Sequence, residues 1–351
     1  MNIIILPLYG IGDVLMTTPA LKILKEQMRD SRVTCLCIFQ NTYDVLKNNP
    51  DIDSLVLFTS NVTKDLRTLR SLYSLRGRFD CSINFYPSNR TQYNMLAYLI
   101  GAKKRIGHRY LHRDMLELNF LKNHTVIESM KLHNVEENVR LLEFLGLKSD
   151  NIPPMKIYLT LEEVNKGKEY IRSSSRRKIG VHAGTSVFKA HAGKRWPLDN
   201  FAELIDHLDD CDFYLFGGPD DKNVNETIVR NLRGSGTVFK IEGLPIRIAA
   251  SVIKNMDLFI SNDSGLMHLA AAVGVPVVAI FGPTNPGSLR PWGIRHKVIR
   301  TDLPCPPCFY YSPNPLECKS EDKFRCLKDL PPDTVYAAVC ELLNQQGETS
   351  G

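Results

Sequence analysis

The amino-acid sequence predicts an α/β protein of two doubly wound, Rossmann-like domains, and three observations support this. The chain has 351 residues, more than a single hydrophobic core usually supports. Apolar runs of strand length alternate with amphipathic helical segments in both halves, as in parallel α/β sheets. A charged, serine-rich segment separates the halves. The predicted parts are a first domain at 1–160, a linker at 161–177, a second domain at 178–330, and a C-terminal helix and tail at 331–351.

Four strands are predicted in the first half. Residues 2–8 form a nearly continuous apolar run, which suits a parallel strand buried on both faces. A glycine-containing turn follows, and a helix is predicted from Asp13 to about Met28. The remaining predicted strands are 32–39, 54–58 and 79–85, the last after a basic helix at about 64–75.

The second half repeats this alternation. The predicted strands are 178–182, 213–216, 237–241, 258–260 and 277–281. The predicted helices are 199–209, 222–233, 247–255 and 265–273, with a last helix at 333–344 after two prolines. Because open parallel sheets bind ligands at the carboxyl ends of their strands, we expect the two domains to face each other across a cleft.

The composition indicates a globular protein of the cytoplasm. Hydrophobic residues make up 43% and charged residues 23% of the chain. No apolar run reaches the ~18 residues that a membrane-spanning helix needs. The first eight residues also lack the features of a secretion signal. In this compartment the nine cysteines are expected to be thiols or metal ligands before they are disulfides.

The excess positive charge lies entirely in the first half. Residues 1–160 hold 21 Lys and Arg against 15 Asp and Glu, whereas residues 161–351 hold 23 of each. This asymmetry predicts an anionic partner for the first domain, although a solvated loop is the alternative for its basic segment. The candidate binding residues are Lys103, Lys104, Arg105, Arg109 and Arg113. Nucleic acid is not favoured, because the second half is neutral and no aromatic platform is evident.

Asp13 is the candidate catalytic residue of the first domain. It follows the first strand and the glycines of the turn, at the strand end where a crevice is expected. A dinucleotide fingerprint would need a third glycine where Leu15 stands, so a nicotinamide or flavin site is not favoured. Asp13 could accept a proton from a hydroxyl group, or it could cap its helix. The residues alone favour the cap.

Two segments of the second domain could bind an anion. Residues 182–186 combine small residues with the hydroxyls of Thr185 and Ser186 after a strand, and Lys194 adds a positive charge. The spacing is not that of a P-loop, and a flexible polar loop is the alternative. Residues 261–272 read as a strand end followed by an apolar helix, whose first N–H groups attract phosphate. Simple N-capping by Asp263 or Ser264 is the alternative there.

Four cysteines in a proline-rich stretch form a candidate metal site. Cys305, Cys308, Cys318 and Cys326 have the spacing C-x2-C-x9-C-x7-C. Four thiolates could hold a structural zinc or iron ion, which would brace the loop without taking part in the chemistry. Four free thiols are the main alternative, and disulfides are less favoured.

Four sequence blocks resemble one known family. They are IIILPLYGIGDVLMTTPALKIL (3–24), GKRWPLDNFAELI (193–205), FGGPDD (216–221) and SNDSGLMHLAAAVGVPVVAIFGPTNP (261–286). In this order they resemble glycosyltransferase family 9, and within it the ADP-heptose:lipopolysaccharide heptosyltransferases. The resemblance implies a GT-B fold. It also implies metal-independent, inverting transfer of a heptose or related sugar from a nucleoside-diphosphate donor such as ADP-heptose to an anionic glycolipid such as lipopolysaccharide core.

The resemblance also implies roles for single residues. Asp13 would be the general base. The residues implied to bind the donor are Thr185, Ser186, Lys194, Asp220, Leu244, Asp263, Ser264, Gly265 and Leu266. Among them, Lys194 would hold the diphosphate and Asp263 the sugar. Similar cysteine clusters occur in the family, including a branch that holds iron in a four-cysteine finger.

Two other functions stay open, and the location of the enzyme follows from its acceptor. A nucleotide-sugar epimerase of the same architecture would consume the donor without an acceptor. A non-catalytic binder would hold the donor without turnover, as expected if Asp13 only capped its helix. A glycolipid acceptor would place the protein at the inner face of the cytoplasmic membrane.

Overall fold

The computed structural model describes residues 1–7, 10–58, 74–185, 193–234, 236–303, 305, 307–309 and 316–347. The chain divides into two compact units, Met1–Tyr158 and Leu159–Gly351. Each unit contains a six-stranded parallel sheet with helices between its strands. This confirms the predicted class of two doubly wound α/β sheets.

The first unit has the Rossmann strand order. Its strands are β1 (Asn2–Ile5), β2 (Arg32–Cys37), β3 (Ser54–Leu57), β4 (Cys81–Asn84), β5 (Lys104–Arg109) and β6 (His124–Ile127). They are ordered β3-β2-β1-β4-β5-β6, and all pairs are parallel. The order therefore changes direction between β1 and β4, which is where such sheets bind ligands. Three successive isoleucines of β1 are fully buried, which explains the continuous apolar run.

The helices of the first unit are α1 (Ile11–Leu15), α2 (Thr18–Gln27), α3 (Gln40–Leu46), α4 (Thr91–Ile100) and α5 (Asn134–Arg140). The single helix predicted from Asp13 to Met28 is therefore divided in two. Pro19 has no N–H to donate to the carbonyl of Leu15, and the hydroxyl of Thr18 donates to that oxygen instead, at 2.7 Å. The hydroxyl of Thr17 donates to Val14 in the same way.

A solvated loop was the alternative for the basic segment at 103–113, and the structure excludes it for the first part of the segment. Residues 104–109 form β5, which pairs with β4 and β6. The reason is that the middle of the segment is buried: Ile106 and His108 have no exposed surface, and only the ends of the strand carry charge. β6 was not predicted either.

The second unit has the same strand order as the first. Its strands are β7 (Arg177–His182), β8 (Cys211–Gly217), β9 (Thr237–Glu242), β10 (Leu258–Asn262), β11 (Val277–Ile280) and β12 (His296–Ile299). The sheet runs β12-β11-β10-β7-β8-β9. Its helices are α6 (Leu161–Lys168), α7 (Leu198–Asp206), α8 (Lys222–Asn231), α9 (Ile246–Ile253), α10 (Gly265–Ala272), α11 (Pro286–Leu289), α12 (Arg325–Lys328) and α13 (Pro332–Gly347). The half-buried β12 was not predicted.

The predicted linker at 161–177 instead contains α6, which belongs to the second unit. Thr160 and Glu163 form a reciprocal capping box at its start. Nη2 of Arg247, on α9, donates to Glu163 at 2.7 Å. A Cβ atom placed on Gly167 would lie 2.0 Å from Oγ of Ser251, so α6 and α9 pack at a distance that only glycine permits. These contacts move the boundary between the units to residue 159.

The C-terminal helix also packs into the second unit. Val335 and Val339 of α13 are fully buried in the same hydrophobic cluster as Trp196 and Phe201. The two rings meet edge to face at 4.9 Å, and Nε1 of Trp196 donates to the carbonyl of Leu330. Among the described residues, every helix is too short or too polar to cross a bilayer.

We expect Gly167→Ala to lower the free energy of unfolding by about 1–3 kcal/mol through overpacking, although alanine favours helix formation. The added carbon would approach the backbone of Ser251, which cannot move aside as a flexible side chain would. Urea denaturation measures the change. Asn165→Ala, at an exposed position of the same helix, is the control and should be neutral or slightly stabilising. Equal stability of the two variants would contradict the close packing.

Candidate functional site

Asp13 lies in the first turn of α1, directly after β1, and its side chain is half-buried. Gly10 occupies the N-cap position, with extended backbone. Asp13 is the acidic residue of the first turn. A carboxylate in this turn is favoured by the positive end of the helix dipole.

Tyr93, which the sequence did not single out, lies near Asp13, and Arg90 lies beside Tyr93. Burial, and then the negative charge of Asp13, raise the pKa of Tyr93 above its ordinary value, while Arg90 acts in the opposite direction. The guanidinium carbon of Arg90 is 5.8 Å from the centroid of the Tyr93 ring. Arg90 precedes α4, in the loop after β4, next to the point where the strand order reverses. That topological position is the only signal that could have identified it.

The five predicted anion-binding residues do not form one cluster. Lys103 and Lys104 lie at the amino end of β5, and Arg109 ends it. At ~3.3 Å per residue the two ends are separated by ~16 Å. Arg105 is held by the backbone, since its Nε donates to the carbonyl of Leu121 at 2.8 Å. Of the set, Arg109 and Arg113 are therefore the two on the carboxyl side of the sheet.

These two arginines are paired with carboxylates. Arg109 is paired with Asp114, and Nε of Arg113 lies 3.1 Å from Glu117. The side chains of Arg109 and Arg113 are 36% and 45% exposed, whereas their carboxylate partners are largely buried. Each arginine therefore keeps a solvent-facing side that an anionic group can approach.

A buried polar network fixes the loops at this edge of the first sheet. The rings of Tyr86 and Tyr110 are stacked at 5.8 Å, and the hydroxyl of Tyr86 donates to Glu128 at 3.0 Å. Nζ of Lys122 donates to the carbonyl of His108 at 2.8 Å. Burial lowers the pKa of Lys122 to about 7, and it also lowers the pKa of His108. The network connects the loop after β4 to the segment that follows β5.

In the second unit, Lys194 and Asp263 form a buried ion pair. Nζ of Lys194 lies 2.9 Å from Oδ2 of Asp263, and the residues are 9% and 6% exposed. Nζ also lies 4.4 Å from the centroid of the Phe309 ring. Burial alone would raise the pKa of Asp263, but the adjacent lysine outweighs it, and the pKa is lowered. Burial lowers the pKa of the neighbouring His268 to about 4, so this imidazole is neutral at pH 7.

The start of α10 presents backbone N–H groups to the same region. Ser264 is the N-cap residue, and its Oγ accepts from the backbone N–H of Met267 at 3.4 Å. The amides of Gly265 and Leu266 occupy the first turn, where a helix offers no internal acceptor. Because Asp263 already balances the charge of Lys194, these amides are the main source of unbalanced positive potential for a phosphate.

A second polar network lies beside this helix start. Nδ1 of His182 is hydrogen-bonded to Oγ of Ser264 at 2.9 Å, and Nε2 lies 3.4 Å from Asp221. Nη2 of Arg195 donates to the carbonyl of Thr185 at 2.8 Å and lies 3.5 Å from Asp221. The predicted donor-binding residues Thr185 and Ser264 are thus held by Arg195 and His182, which were not among the predicted binding residues.

Asp221 is a residue of this network that the sequence did not single out. Its neighbour Asp220, one of the predicted donor-binding residues, is exposed, whereas Asp221 is buried. The short 3-10 turn Pro219–Asp221 directs the second carboxylate inward. A Cβ atom on Gly184 would lie 2.1 Å from Oδ1 of Asp221, so the loop after β7 needs glycine there. The Asp-Asp pair was the available signal, and only the turn decides between its members.

The other predicted donor residues are placed as follows. Leu244 is half-buried in the connection between β9 and α9. Ser186 lies outside the described residues, as does Tyr9 of the first glycine turn.

The four cysteines are neighbours without forming a coordination shell. Burial, and then the charges of the other three thiols, raise the pKa of Cys326 to about 11. The backbone N–H of Phe324 donates to Sγ of Cys318 at 3.3 Å. All four, Cys305 and Cys308 included, are free thiols. Within the described ranges, however, no three His, Cys, Asp or Glu side chains are arranged to hold a metal ion.

We expect Lys194→Ala to lower the free energy of unfolding by about 3–5 kcal/mol, because it leaves the buried Asp263 without its cation. The double variant Lys194→Ala/Asp263→Ala should lose less than this single variant, since no uncompensated charge is then buried. Denaturant titration of both variants and of Asp263→Ala measures the coupling. Simple additivity of the two single losses would show that the pair does not interact.

Comparison with known proteins agrees with this geometry. Residues 69–318, more than two thirds of the chain, match the family model of glycosyltransferase family 9 (heptosyltransferase). A lipooligosaccharide heptosyltransferase 2 of Campylobacter jejuni is 28% identical, with 95% of each chain covered.

Three solved structures are similar in fold. The ADP-heptose LPS heptosyltransferase II of E. coli superposes with a TM-score of 0.77 at 20% identity, covering 99% of this chain and 100% of the other. E. coli WaaC with ADP-2-deoxy-2-fluoro heptose has a TM-score of 0.67 at 18% identity, with 97% and 99% covered. The iron-containing dodecameric glycosyltransferase TibC of enterotoxigenic E. coli has a TM-score of 0.63 at 16% identity, with 99% and 79% covered. The family match and the two sheets with polar strand ends lead to one conclusion: this chain belongs to glycosyltransferase family 9, the heptosyltransferases, and is a glycosyltransferase enzyme.

Proposed function

We propose that this enzyme transfers a heptose from ADP-heptose to an anionic glycolipid such as lipopolysaccharide core, with inversion at the anomeric carbon. The observation that carries the proposal is Asp13, a half-buried carboxylate in the first turn of the helix that follows β1. Two relatives support the substrates: the Campylobacter protein is a lipooligosaccharide heptosyltransferase, and the E. coli WaaC structure contains ADP-2-deoxy-2-fluoro heptose.

In the proposed reaction Asp13 acts as the general base. It accepts the proton of an acceptor hydroxyl while that oxygen forms a bond to the anomeric carbon of the donor. The bond between this carbon and the diphosphate oxygen breaks, and the nucleoside diphosphate leaves with the electron pair. Attack opposite to the leaving group inverts the anomeric configuration. Arg90, near the Asp13–Tyr93 pair, supplies a cation for a charged acceptor group.

The second unit would stabilise the departing diphosphate. The first-turn amides of α10 donate to phosphate oxygens, and Lys194 adds a fixed cation of the kind that supports oxyanion leaving groups. Asp263 holds the lysine in place through one oxygen, and its other oxygen can accept from a sugar hydroxyl. His182 would orient the hydroxyl of Ser264 toward the phosphates.

Family membership favours transfer over the two rival functions. An epimerase would need no acceptor site, whereas the first unit carries arginines at the edge that holds Asp13. A non-catalytic sugar-nucleotide binder would likewise need no acceptor site.

We expect Asp13→Asn to reduce the rate of transfer by roughly 10²–10⁴-fold while ADP-heptose binding stays nearly unchanged, because a general base acts only in the chemical step. Initial rates at saturating donor and calorimetry with the donor analogue measure the two effects. Asp30→Asn, at an exposed position of the same unit, is the matched control and should keep full activity. Near wild-type turnover in Asp13→Asn would remove the proposed base.

We also propose a structural zinc or iron ion at Cys305, Cys308, Cys318 and Cys326. Four cysteines that lie near one another are suitable ligands for such an ion. The backbone N–H of Phe324 already donates to the sulfur of Cys318. The described placement of the side chains is not that of a closed site, so binding would have to draw the thiols together. The iron of the TibC relative supports this choice of metal.

Elemental analysis of protein purified without chelator should find about one zinc or iron per chain, as a four-thiolate site implies. Cys308→Ser should lower both the metal content and the melting temperature, because metal affinity contributes to folding. Cys340→Ser, a half-buried thiol of α13 outside the cluster, should leave the metal content unchanged. Metal-free protein whose melting curve Cys308→Ser does not alter would contradict the site.

A further inference from the structure

The first unit exposes an unusual concentration of apolar side chains. Of the fifteen large hydrophobic residues that are exposed in the described part of the chain, nine lie between residues 95 and 130. Six of them form what we call the apolar patch: Met95, Tyr98, Leu99, Met115, Leu116 and Phe120. Single exposed hydrophobic residues are ordinary, but a contiguous group of them indicates an interaction surface.

The two halves of the patch are held side by side. Met95, Tyr98 and Leu99 lie on one face of α4, at the i, i+3 and i+4 spacing. The same helix binds the segment that carries the other three residues. The side chain of Asn94 donates to the carbonyl of Glu117 at 2.6 Å, and the backbone N–H of Thr91 donates to the carboxylate of Glu117 at 2.8 Å.

The segment at 115–120 exposes apolar residues and buries polar ones, the reverse of the usual pattern in soluble proteins. Its polar residues Glu117 and Asn119 are 8% and 0% exposed, whereas Met115 and Leu116 are 62% and 70% exposed. The inward groups are fully engaged: Asn119 donates to Asn89 at 2.7 Å and accepts from Lys122. The buried hydrogen bonds therefore fix the apolar side chains in an outward position.

Basic groups surround the patch. The guanidinium carbon of Arg105 is 5.5 Å from the centroid of the Tyr98 ring, and Nη2 of Arg109 is 3.7 Å from Sδ of Met115. Residues 1–160 carry the whole net charge of the chain, +6. Exposed Leu, Met, Phe and Tyr with arginines at their margin are the composition of surfaces that bind anionic bilayers.

We propose that the apolar patch and its arginines dock the first unit on an anionic phospholipid bilayer. This rests on the proposed function, because a bilayer is what presents a glycolipid acceptor. The chain reaches the patch from the carboxyl end of β5, the same sheet edge that bears Asp13 after β1. Only β4 separates these strands, a spacing of ~10 Å, so the segment that carries Met115, Leu116 and Phe120 leaves the sheet at the edge where Asp13 lies. A second copy of the chain fits less well, because symmetric pairing would bring like charges together.

Co-sedimentation with vesicles tests the proposal in the absence of donor and acceptor. The full chain should bind vesicles of equimolar phosphatidylcholine and phosphatidylglycerol more tightly than pure phosphatidylcholine, and added salt should weaken binding. Met115→Ser/Leu116→Ser should weaken binding by roughly tenfold or more, since two apolar side chains no longer enter the bilayer. The control is Leu161→Ser/Val229→Ser, which changes two exposed apolar residues of the second unit and should bind like wild type.

Equal binding by the two double variants, or no binding of the wild type to anionic vesicles, would overturn the proposal. So would a wild-type dimer in sedimentation velocity that Met115→Ser/Leu116→Ser makes monomeric without any lipid binding. Melting curves confirm that both variants are folded. Because the vesicle assay contains no sugar donor or acceptor, a failure to bind vesicles does not contradict the proposed heptose transfer. That reaction is measured separately with a delipidated acceptor. Conversely, failed transfer with intact docking contradicts only the proposed reaction.

Discussion

The burial of both faces of the central strands is the constraint on which the site depends. β1 after its first residue and the whole of β10 are buried, so the polar side chains of Ser261 and Asn262 in β10 are used in internal hydrogen bonds. Chemistry is confined to the residues where strands end and helices begin. Asp13 follows β1, and Asp263 and Ser264 follow β10, the strand beside β7 in the centre of the second sheet. Helix starts at these points add oriented N–H groups to the side chains.

Placing charge at such depth requires internal compensation, and the second unit supplies it repeatedly. Lys194 is paired with Asp263, Arg195 approaches Asp221, and Arg247 binds Glu163. These cations and the neighbouring histidines lower the pKa values of Asp263 and Asp221 despite their burial. Asn262 adds a neutral link, since it accepts from the N–H of Trp196 and donates to Ala183. The position of Lys194 is therefore set before any ligand arrives.

Most of the fold could be predicted, because apolar periodicity records burial, and nine of the twelve strands have a clear apolar run. β5 was missed because it lacks a long apolar run. Beside Ile106 it buries Gly107 and His108, and its ends are charged. The roles given to Asp13, Lys194 and Asp263 came from the resemblance to glycosyltransferase family 9, and they stay predictions. The sequence of the Asp-Asp pair at 220–221 does not show which carboxylate is buried, because the 3-10 turn Pro219–Asp221 decides this. Arg90 and His182 act through distant partners, which no local motif reports.

The two units differ in how they treat charge, and this difference bears on what each can bind. In the second unit, cations and carboxylates are equal in number, and Lys194 at the helix start is itself paired, so oriented amides at short range contribute to attraction for an anionic donor. In the first unit the cations exceed the carboxylates by six, and Arg109 and Arg113 at the carboxyl edge of the sheet are partly exposed. Unmatched surface charge acts over about a Debye length and does not require a shaped pocket. A ligand recognised atom by atom thus suits the second unit, and an extended anionic surface suits the first.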